Sequence, residues 1–288
     1  MAQLNTWSDV SAIANNIQED AYFIVREAAI MQNFVTMFGD MKGGNPRISY
    51  EYSSVDAASI AETDDLTSSA FTPSAGQTLT PAEIGAQFFI SDLRRDSELP
   101  ESIMTDAARE LGFAGADKIN NDIAGDMASL TGGSIGAAGT VITWGYVAAA
   151  IAQARNASKS IAVPLVAVIH GYQAAVLAKA ASVAGATVIT TPATNDSITK
   201  SGITQAFTFM GVPIYQVFVS PDTGVDFTGG VFPREALALD WRRPIRIEAE
   251  RDASRRGTEI NMSGVYAHGV WRPALGVKMI FDAAAPTA

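Results

Sequence analysis

The chain has 288 residues, 48% of them hydrophobic and 17% charged, with 24 Gly and 12 Pro. This is length for one or two domains with a real core, and it excludes disordered, collagen-like and coiled-coil compositions. Its 30 acids and 20 bases leave a net charge of −10, the wrong sign for a partner held mainly by phosphate neutralisation. The absence of cysteine removes disulfides and thiolate chemistry and fits folding in a reducing cytosol. Met1 to Asp9 lack the basic start and apolar core of an export signal, and no run approaches the ~18 apolar residues of a membrane span. A soluble globular protein is expected.

Val10, Ile13, Ile17, Ala21, Ile24, Ala28, Met31, Val35 and Phe38 recur at three- and four-residue steps. That spacing predicts a helix, or a kinked pair, of about eight turns, ended by Gly39 and Gly43-Gly44. Ile48, Tyr50 and Tyr52 then alternate with Ser49 and Glu51 as one strand, and Ile84, Ala86, Phe88 and Ile90 form a second. The 29 residues between them, Ser53 to Pro81, contain no Lys or Arg. So long an irregular stretch is rare inside a compact domain, so residues 45–92 read as a projecting two-stranded arm with a mobile tip. Two strands cannot bury Tyr50, Tyr52, Phe88, Phe89 and Ile90 alone. The arm must lie against another surface, most simply a neighbouring copy; the alternative is a hairpin folded back on its own domain.

Ser97 and Pro100 open a second long helix, carrying Ile103, Ala107, Leu111, Ala114, Ile119, Ile123, Met127 and Leu130 and ending at Gly132-Gly133. From Thr140 helices and strands alternate. The pattern gives a helix from Thr143 to Asn156, a buried strand from Val163 to Ile169, a helix from Tyr172 to Val183 and a short strand from Val188 to Thr190. Ile203 to Phe209 and Val212 to Val219 form a hairpin about Gly211, and Gly230 to Leu239 returns as one strand. Ile245 to Ala249, Ile260 to Val270 and Leu275 to Phe281 alternate as long, half-exposed strands, expected outside any parallel α/β core.

Chemical motifs are weak. His170 and His268 lie far apart, each reading as a satisfied structural imidazole, and no Gly-x-Ser-x-Gly elbow supports a triad. Ser197-x-x-Lys200 and Lys200-Ser201-Gly202 share one lysine and cannot form opposite walls of a pocket. Gly132 to Gly139 follows a helix and lacks a Gly-Lys-Ser/Thr ending, so it reads as a linker. Asp117, Asn120, Asn121, Asp122 and Asp126 fail the spacing of a calcium loop and read as a polar helix face. No catalytic, cofactor-binding or metal-binding residue is expected.

Charge is uneven. Residues 1–126 hold 20 acids and 7 bases, residues 127–288 hold 10 and 13, and eight of 14 Arg lie between Arg234 and Arg272. Arg242, Arg243, Arg246, Arg251, Arg255 and Arg256 are interleaved with Glu248, Glu250, Asp252 and Glu259, a pattern expected of ion pairing between copies.

In order and spacing, these pieces resemble the major capsid proteins of tailed double-stranded DNA bacteriophages over nearly the whole chain. The resemblance is carried by Ile90-Ser91-Asp92-Leu93 leading into the helix from Ser97 to Leu130, by Gly211-Val212-Pro213-Ile214-Tyr215, by Gly230 to Leu239 and by Tyr266 to Val277. It implies an α+β Hong Kong 97-like fold: a largely helical N-terminal arm over 1–44, an extended two-stranded loop over 45–95, a spine helix of the peripheral domain over 96–139, an axial α/β domain over 140–229, and return strands of both domains over 230–288. It also implies a non-enzymatic shell subunit that assembles into pentamers and hexamers in the host bacterial cytoplasm and resides in the virion capsid.

The implied partners are copies of itself, a scaffolding protein, a portal, a decoration or cement protein and, non-specifically, packaged double-stranded DNA; a membrane is not among them. No long helical segment precedes the arm, so scaffolding is expected on a separate chain. Some family members crosslink through a lysine of the extended loop, but none stands between Lys42 and Lys118. The residues expected to serve self-assembly are Tyr50, Tyr52, Asp64, Asp65, Phe71, Phe88, Arg94, Arg95, Arg251, Arg255 and Arg256. A nanocompartment shell subunit of the same fold is the nearer alternative, and an α/β hydrolase or transferase using His170 the more distant one.

Overall fold

The structure is a computed structural model and describes residues 30–40, 43–52, 70–97, 100–158, 163–183, 205–218 and 225–285, with the isolated residues 57, 59 and 68. The helix expected over 10–29, the arm tip and the strand at 188–190 lie outside the described residues.

Twelve strands are described. A four-stranded sheet has the order β1 (Thr36–Phe38), β10 (Leu237–Asp252), β11 (Gly257–Val270), β4 (Ala82–Ser91). A six-stranded mixed sheet has the order β5 (Ser134–Gly136), β12 (Val277–Asp282), β9 (Asp226–Pro233), β6 (Leu165–His170), β8 (Val212–Val217), β7 (Gln205–Phe209). A separate ribbon pairs β2 (Arg47–Tyr52) with β3 (Pro73–Leu79). The described α-helices are α1 (Asp92–Ser97), α2 (Pro100–Asp126), α3 (Trp144–Ser158) and α4 (Gly171–Val183).

Helix α2 starts at a proline, whose missing N–H costs nothing in the first turn. Ala108, Leu111, Ala116, Ile119 and Ile123 form its buried stripe, continued by Met127 in the 3-10 turn that follows and by Leu130 just after it. The stripe packs on Leu237, Leu239, Ile245 and Ile247 of β10 and on Ile260, Met262 and Tyr266 of β11, residues that alternate with outward-facing neighbours. A second core joins α3 (Val147, Ile151), α4 (Leu177) and the six-stranded sheet (Ala167, Ile214, Val231, Met279, Phe281). The β7–β8 hairpin turns at Met210-Gly211, both at positive φ (51° and 75°), the twist a two-residue hairpin requires and the reason Gly211 marks it.

Four expectations need correction. Met31 to Phe38 do not continue a helix: Ile30–Phe34 is a 3-10 turn and Thr36–Phe38 pairs in parallel with Ala238–Asp240, so β10 supplies the backbone partners a helix would have found locally. The partner of β2 is β3, not the Ile84–Ile90 strand. β3 (PSAGQTL) is too small and polar to advertise itself, whereas β4 is held by β11 through ten registered pairs from Ala82 to Ser91. Gly230 to Leu239 is not one strand but crosses from β9 to β10 through a 3-10 turn at Arg234–Ala236. Finally, β12 belongs to the α/β sheet, antiparallel to β9 and parallel to β5, which sits within the stretch expected as a linker.

Candidate assembly interface

The root of the arm is fixed to the body by a small third core. Leu79 is buried against Ala238 and Ala267, with Phe38 and Trp271 beside them, on the face of the four-stranded sheet opposite α2. Gly269, at φ 153°, makes room there: a Cβ would meet the Leu79 side chain at 2.9 Å. Asp240 reaches the same face by the β10 alternation and accepts a 2.8 Å hydrogen bond from Arg47 Nε. Arg47 also pairs with Asp40 and lies over the Phe38 ring at 4.4 Å. Arg242 Nη2 lies 2.8 Å from Asp240 Oδ2, yet with its side chain only 1% exposed its Nε, Nη1 and Nη2 make no hydrogen bond.

Beyond this root the ribbon is bare. Ile48, Tyr50 and Tyr52 are exposed on β2, Tyr50 at 64% and Tyr52 at 59%; Phe71, just before β3, is 67% exposed. Tyr52 and Phe71 stack with ring centroids 4.7 Å apart and planes 6° from parallel. Thus three of the expected assembly residues, Tyr50, Tyr52 and Phe71, share this ribbon. Phe88 is separate: it sits half-exposed on β4 opposite Ile260. Asp64, Asp65 and the side chain of Arg95 lie outside the described residues, and Arg94 is exposed on α1.

The arginines expected to pair between copies find carboxylates within the chain. Arg251 grips Asp92 with both terminal nitrogens, the Nη2 contact at 2.7 Å, and this partner holds its guanidinium above the usual arginine range. The Asp92 backbone N–H donates to the Arg256 carbonyl at 2.9 Å, so the start of α1 is fastened to the β10–β11 turn. Within that turn Asp252 Oδ1 accepts from Ser254 Oγ and from the Ser254 and Arg255 N–H groups, which hold its carboxyl below the usual range. Arg255 donates to Glu259 at 2.6 Å and covers the Phe89 ring at 4.3 Å. Arg256 stands exposed at the tip with φ 51°. Arg251 and Arg255 therefore each hold a carboxylate within the chain, at or beside this hairpin.

Sequence reasoning missed two polar clusters, the Arg47–Asp240–Arg242 root and a group joining α2 to β11. In the second, Tyr266 Oη donates to Asp122 at 2.6 Å and His268 Nδ1 lies 2.9 Å from Asp126. Their signal was the continued inward alternation Ile260, Met262, Tyr266, His268, facing Asp122 and Asp126 one helical turn apart. His170 is buried: its N–H donates to Gln173 Oε1, its Nδ1 accepts from the Tyr172 N–H, and it packs in a structural role among Tyr172, Phe218 and Phe227. Among the described residues no helix is long and apolar enough to cross a membrane, and no cluster of His, Asp and Glu is arranged to hold a metal.

Similar folds are found among solved structures. A structure from Mycobacterium phage Che8 superposes with a TM-score of 0.63 at 17% identity, covering 87% of this chain and 90% of that one. The capsid of cyanophage P-SCSP1u gives 0.63 at 14% identity, covering 91% and 90%. A virus-like particle from Pyrococcus furiosus gives 0.58 at 12% identity, covering 92% and 98%. Comparison with curated protein sequences finds no match. The sequence model of the family described as phage capsid protein matches residues 76–279, from the β3 strand of the ribbon to the last strand of the α/β sheet. The chain belongs to the phage capsid protein family: it is a shell-forming structural subunit of a virion.

Proposed function

We propose that copies of this chain join through head-to-tail contacts into the pentamers and hexamers of an icosahedral shell around double-stranded DNA, and that the β2–β3 ribbon of each copy lies over its neighbour. The observation that carries this is the bare aromatic strip of Tyr50, Tyr52 and Phe71 on a ribbon whose root is locked to the body. A two-stranded ribbon has no second layer of its own to bury that strip. Heterologous contacts of this kind close into rings, and repetition across a shell makes weak contacts collectively strong.

In this reading the four-stranded sheet with α2 is the peripheral domain and the six-stranded sheet with α3 and α4 the axial domain. The extended loop is the β2–β3 ribbon with the segment it encloses, residues 47–79, and the segment before β1 is the N-terminal arm. A separate scaffolding protein, a portal and a decoration or cement protein are the further partners, and assembly takes place in the host cytoplasm. Because the ribbon carries no lysine, no lysine crosslink starts from it and its contact with the neighbour is by packing. A nanocompartment shell is not favoured, since the matching family model is that of a phage capsid protein.

The test replaces Tyr50, Tyr52 and Phe71 together by Ser in the full chain and compares sedimentation and electron micrographs with wild type. The variant is expected to keep its circular dichroism spectrum and thermal midpoint but to remain as small oligomers. Closed shells of wild-type size and yield would contradict the reading.

A further inference from the structure

His268 stands on β11 where that strand passes the last turns of α2. Its Nδ1 is 2.9 Å from Asp126 Oδ2 and its Nε2 3.6 Å from Asp122 Oδ2. Both ring nitrogens therefore face carboxylates. A neutral imidazole has one N–H and one lone pair, so either tautomer turns a lone pair toward an anion; only the imidazolium suits both contacts. Asp122 is held in place by two further donors, Tyr266 Oη at 2.6 Å and Lys118 Nζ at 2.6 Å. The charged and titratable groups acting on the ring are Lys118, Asp122 and Asp126 from α2 and Tyr266 beside it on β11; β10 opposes it with Leu239.

We propose that protonated His268 is a clamp that fastens the C-terminal turns of α2 to β11, and that loss of its proton releases them, so that the longest of the described helices is held or loosened by pH. This proposal stands on the subunit alone, whatever the shell reading. The Asp126 contact raises His268 above the usual histidine range, and Asp122 acts in the same sense, against burial and Lys118. A group whose folded value is raised contributes stability that is complete below its unfolded value, about 6.5, and is lost as pH rises through the folded value. Burial in turn pushes Asp126 up from the usual carboxylate value, so the ion pair occupies the interval between the two titrations.

Amide hydrogen exchange on the full chain, corrected for the intrinsic pH dependence of exchange, tests this from about pH 6, below the unperturbed histidine value, upward to about pH 9. In wild type, protection of residues 118–130 is expected to fall severalfold across that range as the imidazolium loses its proton; protection of β6, which is remote from the cluster, should stay level. His268→Gln should be weakly protected over 118–130 at every pH, with no fall. Asp126→Asn, which removes the main contact raising the imidazole, should move the fall to lower pH. A flat wild-type profile, an equal fall in His268→Gln, or an unmoved midpoint in Asp126→Asn would each overturn the clamp. Should His268→Gln not fold, the wild type and Asp126→Asn still decide.

Discussion

Asp240 is fully buried between two guanidinium groups, and the two are not equivalent. Arg47 gives it a directed 2.8 Å hydrogen bond and reaches Asp40 as well, so both of its ends are used. Arg242 contributes charge, but leaves three buried nitrogens unbonded. Removing Asp240 strands buried cationic charge, whereas replacing Arg242 by an apolar side chain removes a charge that makes no hydrogen bond and leaves Asp240 its bond to Arg47. Asp240→Asn is accordingly expected to lower unfolding free energy by about 3–5 kcal/mol, and Arg242→Met to stay within about 1 kcal/mol of wild type. Urea midpoints of the two variants check this; equal losses would show that Arg242 is as important to the cluster as Asp240 itself. In the sequence Arg242 is one of six clustered arginines. Its partner Asp240 is bonded to Arg47, 193 positions earlier in the chain, which no local pattern records.

At the scale of elements, α2 shows which features can be read locally. Its buried stripe recurs at helical spacing, a proline starts it and glycines follow it. Gly125, near its end, has nothing within 4 Å of where a Cβ would sit. Gly125→Ala is therefore expected to raise stability by about 0.5–1 kcal/mol through the unfolded chain's lost freedom, measured as a higher thermal midpoint; a lower midpoint would mean that the residue serves the bend from α-helix into the 3-10 turn.

Strands with strong alternation (β2, β11 and the second half of β10) and the hairpin at Gly211 were equally legible. Partnership was not. Alternation says that a strand has two unlike faces, but not which strand lies beside it, so β2 was matched to the more visible β4 instead of the small, polar β3. The same limit applies to β12, whose Val277, Met279 and Phe281 alternate like those of a half-exposed strand but face α3 within a covered sheet. Around the candidate interface, the aromatic residues of the ribbon were legible because exposure of Tyr50 and Tyr52 follows from the strand period. The in-chain partners of Arg251 and Arg255 were not, because Asp92 meets Arg251 only once β4 and β10 have both joined β11.

For the whole molecule, family membership, the fold and the bare ribbon describe a subunit completed by its copies. The body has its own cores beneath α2 and around the six-stranded sheet, while the ribbon leaves its aromatic strip exposed. Uneven charge fits the same division: the acidic first 126 residues include the ribbon, and the Arg-rich return strands carry the exposed Arg246 and Arg256. A cryo-electron microscopy map of shells assembled from the purified chain bears on this account at its centre. It predicts that Tyr50, Tyr52 and Phe71 of each copy are covered by the adjoining copy; closed shells in which these side chains stay in solvent, or in which the ribbon folds back on its own body, would contradict it.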